Sequence, residues 1–160
     1  MTISAGDSIP SAQLTIMGEN GPGPVSSDEL LGSGTVVLFA VPGAFTPTCS
    51  AEHLPGFVEH ADALKAKGVD QIVCMAVNDI FVMDAWGKAG NAHGLMTMAA
   101  DGNGEFTKAM GLEMDASAFG MGQRCQRFAM IIRDGVVEKV MVEGPGEFRV
   151  SSAEYVLDQL

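Results

Sequence analysis

The residues of this chain best suited to chemistry fall in one short stretch, "VPGAFTPTCSAEHLPGF", from Val41 to Phe57. It holds Cys49, a hydroxyl three positions earlier at Thr46, and two ring-constrained residues close before the cysteine, Pro42 and Pro47. A cysteine acts as a nucleophile in its thiolate form, which unpaired amide N–H groups and the positive end of a helix dipole both favour. If a helix starts near Thr48, Cys49 falls in its first turn, where both are available. Pro42 and Pro47 stiffen the turn, and Gly43 lets it bend sharply. One thiolate, one hydroxyl and several backbone donors suit a small substrate that becomes anionic when attacked. On residue types alone a second reading stays open, because a single cysteine among apolar residues also serves as core packing.

A site of this kind needs a strand to deliver it and a helix to receive it. Residues 34–41, "GTVVLFAV", form an apolar, β-branched run with the length of a fully buried strand, and residues 69–77, "VDQIVCMAV", form another. Between them Leu54, Phe57, Val58, Ala61 and Leu64 recur at helical spacing, and "KAKG" closes the segment with basic residues and a glycine. Pro55 falls inside that pattern and is expected to kink or delay the helix. Strand, helix, strand over this length predicts parallel strands with a right-handed crossover. Loops at the C-terminal ends of such strands present functional groups, and residues 42–49 occupy that position.

Further along, the spacing predicts a helix from about Asp79 to Ala89 with Asn78 as N-cap, then a short strand in "LMTMAAD" and a turn at "DGNG". "RFAMIIRDGVVEKVMVE" reads as two strands joined tightly at Asp134-Gly135. Ser151-x-x-Glu154 has the capping-box pattern and opens a final helix. The whole is an α/β arrangement with a mixed sheet, expected as a single domain over residues 1–160.

Composition narrows the function. Twenty acidic against nine basic residues give a formal charge of −11 and a pI near 4.4. That surface repels phosphate backbones and anionic lipid, so neither nucleic acid nor membrane is an expected partner. The N-terminus lacks a basic segment followed by an apolar stretch, and no apolar run approaches the ~20 residues that span a bilayer. The expected location is the cytoplasm, where thiols are kept reduced.

The other candidate residues carry weaker signals. Cys74 lies 25 positions after Cys49, in the middle of an apolar strand, where a cysteine is ordinarily inert filling. Cys125 sits in "RCQR", where neighbouring arginines would favour its thiolate, and a surface or core role is equally open. His53, His60 and His93 have no metal-ligand spacing, so no metal is expected. His53 borders the pocket or, as the preferred reading, lies on the helix surface. Trp86 and Phe119 are candidates for core packing, a pocket rim or a dimer contact. No dinucleotide or phosphate-binding loop is present, and no organic cofactor is expected.

Pro42-x-x-x-Thr46-x-x-Cys49, inside "VPGAFTPTCS", resembles the active-site motif of the peroxiredoxins. The longer match, "PGAFTPTCSAEHLPGF" followed by "VNDIFVMDAWGKA", resembles the type II or peroxiredoxin-5-like subgroup. "QRFAMIIRDGVV" and "EGPGEFRVSSAEYVLDQL" are similar to its plant-like members, so the likeness covers nearly the whole chain.

The resemblance implies a thioredoxin-like fold, a central mixed sheet flanked by helices with an N-terminal β-hairpin extension, and a thiol-dependent peroxidase without cofactor. It assigns Cys49 as peroxidatic nucleophile, Thr46 as hydrogen-bond partner of the peroxide, Pro42 as a shield, and Arg127 as the arginine completing the site. Arg124 is the weaker candidate, since alternate residues of a regular strand face opposite sides. Cys74 matches a cysteine assigned in some plant-like members as resolving thiol. Where the animal branch has a resolving cysteine near the C-terminus, "FRVSSAEY" offers Ser151 and Ser152, which form no disulfide. Reduction by an external thiol, glutaredoxin with glutathione or thioredoxin, is then expected, with hydrogen peroxide or alkyl hydroperoxides as substrate and a homodimer as assembly. A redox-sensing or chaperone-like module switched by Cys49 oxidation is the alternative function. A thiol–disulfide reductase is disfavoured, because the chain has no CxxC.

Overall fold

The computed structural model describes residues 1–160, apart from the side chain of Cys49. Its centre is formed by β3 (Thr35–Ala40) and β4 (Gln71–Ala76), which run parallel with Phe39 opposite Cys74. β5 (Thr97–Ala100) continues parallel on the far edge of β4. The hairpin strands β8 (Phe128–Arg133) and β9 (Val136–Val142) extend the other side, with β8 antiparallel to β3. An N-terminal hairpin, β1 (Gln13–Gly18) and β2 (Gly21–Ser26), pairs antiparallel with β5, giving the order β2-β1-β5-β4-β3-β8-β9. This is the mixed sheet and N-terminal hairpin expected above. A separate ribbon, β6 (Glu113–Asp115) with β7 (Gln123–Cys125), carries no clear pattern in the sequence.

Because the central strands are covered on both faces, their residues alternate between two cores. Val37, Phe39, Ile72, Cys74, Ala129 and Ile131 face α2 (Leu54–Glu59), α3 (Ala61–Ala66), α4 (Ile80–Ala89) and α6 (Ala153–Gln159). Val36, Leu38, Val73, Met75, Met130 and Ile132 face α1 (Ser27–Leu31) and α5 (Glu105–Met110).

Local chemistry sets the joints. Asp134 (φ 50°) and Gly135 (φ 80°) both take the left-handed region that a two-residue hairpin of this hand requires. Asn78 is not the cap of α4. Asp79 is: its carboxylate accepts from the Val82 amide at 2.9 Å, because the Asn78 side chain is already taken by the Ala44 amide. Ser151 likewise does not cap α6. Ser152 accepts from the Tyr155 amide, while the Ser151 hydroxyl donates to Glu143 at 2.7 Å.

Candidate active site

The helix that receives the site loop begins at Pro47, and Ser50 N–H donates to the Thr46 carbonyl at 2.9 Å. Proline suits a first helical position, where its missing N–H has no partner in any case. Residues Cys49–His53 then follow a π-helical path before α-helical bonding resumes at Leu54. The delay anticipated from Pro55 takes this form. Pro55 cannot donate to the Ala51 carbonyl four residues back, and the wider turns directly precede it. The Cys49 backbone thus lies in the first turn, as the sequence predicts.

The loop ahead of it is braced at several points. Thr46 donates its hydroxyl to the Gly43 carbonyl at 2.7 Å, which leaves its oxygen lone pairs as acceptors. Phe45 adopts φ 64°, an uncommon conformation for a large residue, between that contact and the Ala44–Asn78 bond. Gly43 lies close under its neighbours: a Cβ there would sit 3.0 Å from Met121 Cε and 3.2 Å from Thr46 Cγ2, so either would have to give by a few tenths of an ångström. Pro42 is half-buried at the end of β3.

The two arginines approach from different directions. Arg124 commits Nε to the Met121 carbonyl at 2.9 Å and Nη1 to the Val77 carbonyl at 3.0 Å, beneath Gly43. Arg127 Nη1 donates to His53 Nδ1 at 2.8 Å, and its guanidinium carbon lies 5.8 Å from the Phe148 ring centre. Strand alternation does not set their relative directions. β7 ends at Cys125 and β8 starts at Phe128, so Gln126 and Arg127 lie outside any regular strand.

His53 corrects a further expectation. It is not on the helix surface but fully buried, with ring centres of Phe39, Phe57 and Phe148 at 5.0, 5.7 and 5.0 Å. Arginine only donates and a carbonyl only accepts, so Nδ1 must carry the lone pair while Nε2–H donates to the Ser151 carbonyl at 2.9 Å. Burial, reinforced by the Arg127 charge and opposed by the Ser151 carbonyl, pushes its pKa down to about 3. The ring is therefore neutral near pH 7. The spacing His53, Phe57, Ala61, Leu64 puts the imidazole on the apolar helix face, the one signal in the sequence for its burial.

The remaining thiols part company. Cys74 is fully buried on the sheet face that α2 and α4 cover, the face carrying Phe57 and Trp86. Cys125 lies on the opposite core, its thiol donating to the Val41 carbonyl at 3.0 Å, which requires the protonated form. Trp86 is core, with Nε1–H on the Ser50 hydroxyl at 2.9 Å, while Phe119 is 82% exposed. His60 pairs with Glu154 at 2.9 Å. No group of three His, Cys, Asp or Glu placed to hold a metal occurs among the described residues.

Residues 4–157 match the Redoxin family model. The chain is 47% identical to peroxiredoxin-2B of Arabidopsis thaliana over 159 residues, 99% of this chain and 98% of that protein. The chain belongs to the type II peroxiredoxins. Peroxiredoxin-2C of rice is 46% identical over the same coverage. The crystal structure of reduced Prx3 from Vibrio vulnificus in complex with hydrogen peroxide superposes with a TM-score of 0.95 at 52% identity, covering 99% of each chain. The fold is thus the thioredoxin-like fold of peroxiredoxins, and the activity is thiol-dependent reduction of peroxides. In this peroxiredoxin the Cys49 motif sits on the strand-to-helix corner where a nucleophile was expected.

Proposed function

We propose that Cys49 is the peroxidatic nucleophile and that Thr46 and Arg127 bind the peroxide it attacks. The thiolate attacks one peroxide oxygen, a sulfur–oxygen bond forms and the O–O bond breaks. Sulfur is oxidised to sulfenic acid, and the departing oxygen takes up a proton to leave as water or an alcohol. Thr46, whose hydroxyl proton is spent on Gly43, accepts from the hydroperoxide O–H. Arg127 offsets the negative charge growing on the departing oxygen. Pro42 walls the sulfur from solvent. The observation that carries this reading is the 2.8 Å bond from Arg127 to His53, one helical turn beyond Cys49.

Hydrogen peroxide and alkyl hydroperoxides are both proposed substrates, since the only groups invoked act on the O–O unit. An external thiol, from glutaredoxin with glutathione or from thioredoxin, returns the sulfenic acid to thiol. Cys74 is the secondary candidate for that step, because its face is the one the Cys49 helix covers. Bridging needs Cα atoms within about 7 Å, and the proposed route to it is local opening of the π-helical turns. Such chemistry suits the reducing cytoplasm. Homodimerisation is proposed through Phe45, Phe81 and Phe119, which are 55%, 64% and 82% exposed. The segment leading into α4, which carries Phe81, is tied to the other two regions by Ala44 on Asn78 and Arg124 on Val77.

Steady-state peroxide reduction with each donor supplied separately tests the reading. Multiple turnovers are expected with at least one donor; a single stoichiometric oxidation that alters partner binding would support the redox-sensing alternative instead.

A further inference from the structure

Glu143 is a carboxylate almost buried at the end of β9, and the peroxidase chemistry above makes no use of it. It is 7% exposed, and one oxygen, Oε2, accepts from the amides of Arg149, Val150 and Ser151 at 2.7, 2.9 and 2.8 Å and from the Ser151 hydroxyl at 2.7 Å. Four donors converging on one oxygen favour the ionised carboxylate, which only accepts and forms the stronger charge-assisted bonds. The result is a fixed backbone across Arg149–Ser151. Its last carbonyl, that of Ser151, is the acceptor for His53 Nε2–H at 2.9 Å. The other ring nitrogen accepts from Arg127 at 2.8 Å. The backbone closes the loop from the other end, because Glu143 N–H donates to the Arg127 carbonyl at 2.9 Å.

We infer that Glu143 is a positioning residue for the peroxide site, fixing the Arg127 guanidinium through the Ser151 carbonyl and the His53 imidazole. Each link leaves the next one little freedom. The carboxylate fixes where the Ser151 carbonyl points. The carbonyl demands a proton on Nε2 and so leaves the lone pair on Nδ1. That lone pair takes one N–H of a planar guanidinium, whose remaining donors are then fixed in direction. Phe39, Phe57 and Phe148 pack around the ring and keep water from competing for either nitrogen. Arg127 is held by a neutral acceptor rather than a carboxylate. This bond therefore sets no opposing charge against the guanidinium where a developing oxyanion is to be met. Glu143 keeps its own charge two residues removed, beyond Ser151 and His53, where amides bind it.

The inference rests on the assignment of Arg127 to the peroxide site, and its test is a double-mutant cycle. Glu143→Gln and His53→Phe are made singly and together, and the second-order rate with hydrogen peroxide is followed through Trp86 fluorescence. Each single change is expected to slow the reaction roughly tenfold or more, the size found when a group that orients a reacting residue from behind is removed. The double variant is expected to lose no more than His53→Phe alone. Additive losses would overturn the inference, as would unchanged rates. His53→Asn, which restores an acceptor near Nδ1, is expected to retain more activity than His53→Phe. A packing role alone gives the reverse order, because Phe keeps the ring. Nitrogen-15 NMR of the imidazole is the arm independent of turnover. The wild type is expected to show Nε2–H and a bare Nδ1, and Glu143→Gln to disturb that pattern; an unaltered signal in a folded variant would overturn the inference. A wild-type chain inert to peroxide would sink the peroxidase assignment, with the NMR arm still deciding whether Glu143 governs His53.

Discussion

Arg127 and His53, 74 positions apart in sequence, form a 2.8 Å hydrogen bond in which the guanidinium donates and the neutral imidazole accepts. A histidine beside an arginine would ordinarily be repelled when protonated. Here burial and that same arginine keep the proton off, so the pair is attractive near pH 7.

The pairing separates the two arginines by function. Arg127→Gln is expected to lower the second-order rate with peroxide by ~10²-fold or more, the loss typical of removing a charge-stabilising donor. Arg124→Gln removes two bonds that hold the Met121 and Val77 carbonyls. It is expected to cost roughly 1–3 kcal/mol of stability with a smaller kinetic effect. Equal kinetic losses in stopped-flow measurements would refute the division.

The thiols are expected to behave unequally. Cys49→Ser should abolish turnover. Cys74→Ser should leave glutaredoxin-supported turnover largely intact, because a buried strand cysteine must first be uncovered to react. Complete loss in the coupled assay would make Cys74 the obligatory resolving thiol.

Acid should weaken the fold before the carboxylates titrate. His53 has a folded-state pKa of about 3 against 6.5 when free. Between those values the unfolded chain binds the extra proton, so stability falls as pH falls, by roughly 1 kcal/mol per unit. Burial raises the Glu143 pKa, but Ser151 and the three amides outweigh it and hold the carboxyl below its usual range. That adds a second loss below about pH 4.5, in the same direction. Denaturant titrations at pH 7, 5.5 and 4 check this; removing His53 should flatten the upper part of the slope, and an unchanged slope would contradict the buried neutral imidazole.

Caps that differ by one residue offer a contrast. Ser152→Ala removes the N-cap of α6 and is expected to cost about 1 kcal/mol without touching peroxide kinetics. Ser151→Ala instead removes a hydroxyl from Glu143 and should slow the reaction with peroxide as well. Thermal melts paired with rate measurements distinguish the two.

The exposed phenylalanines make the assembly testable. Replacing Phe45, Phe81 and Phe119 by serine is expected to leave the fold intact and shift sedimentation from dimer to monomer, since they lie outside both cores. A dimer that survives the triple change would place the interface elsewhere.

Local rules in the sequence determined the delivery of Cys49: a β-branched run that must be buried, prolines that stiffen its exit, a proline-led helix start, and an apolar stripe to seat the helix. They also determined the Asp134-Gly135 hairpin, because its dihedrals belong to those two residues. Adjacent residues competing for one role were beyond such rules. Asn78 and Asp79, or Ser151 and Ser152, are interchangeable as caps until tertiary contacts claim one of each pair, as Ala44 claims Asn78 and Glu143 claims Ser151. The surroundings of Arg127 were decided only by the tertiary structure. His53 and Glu143 come from segments whose spacing in sequence says nothing of their meeting, and a buried polar group takes its meaning from the partner that satisfies it.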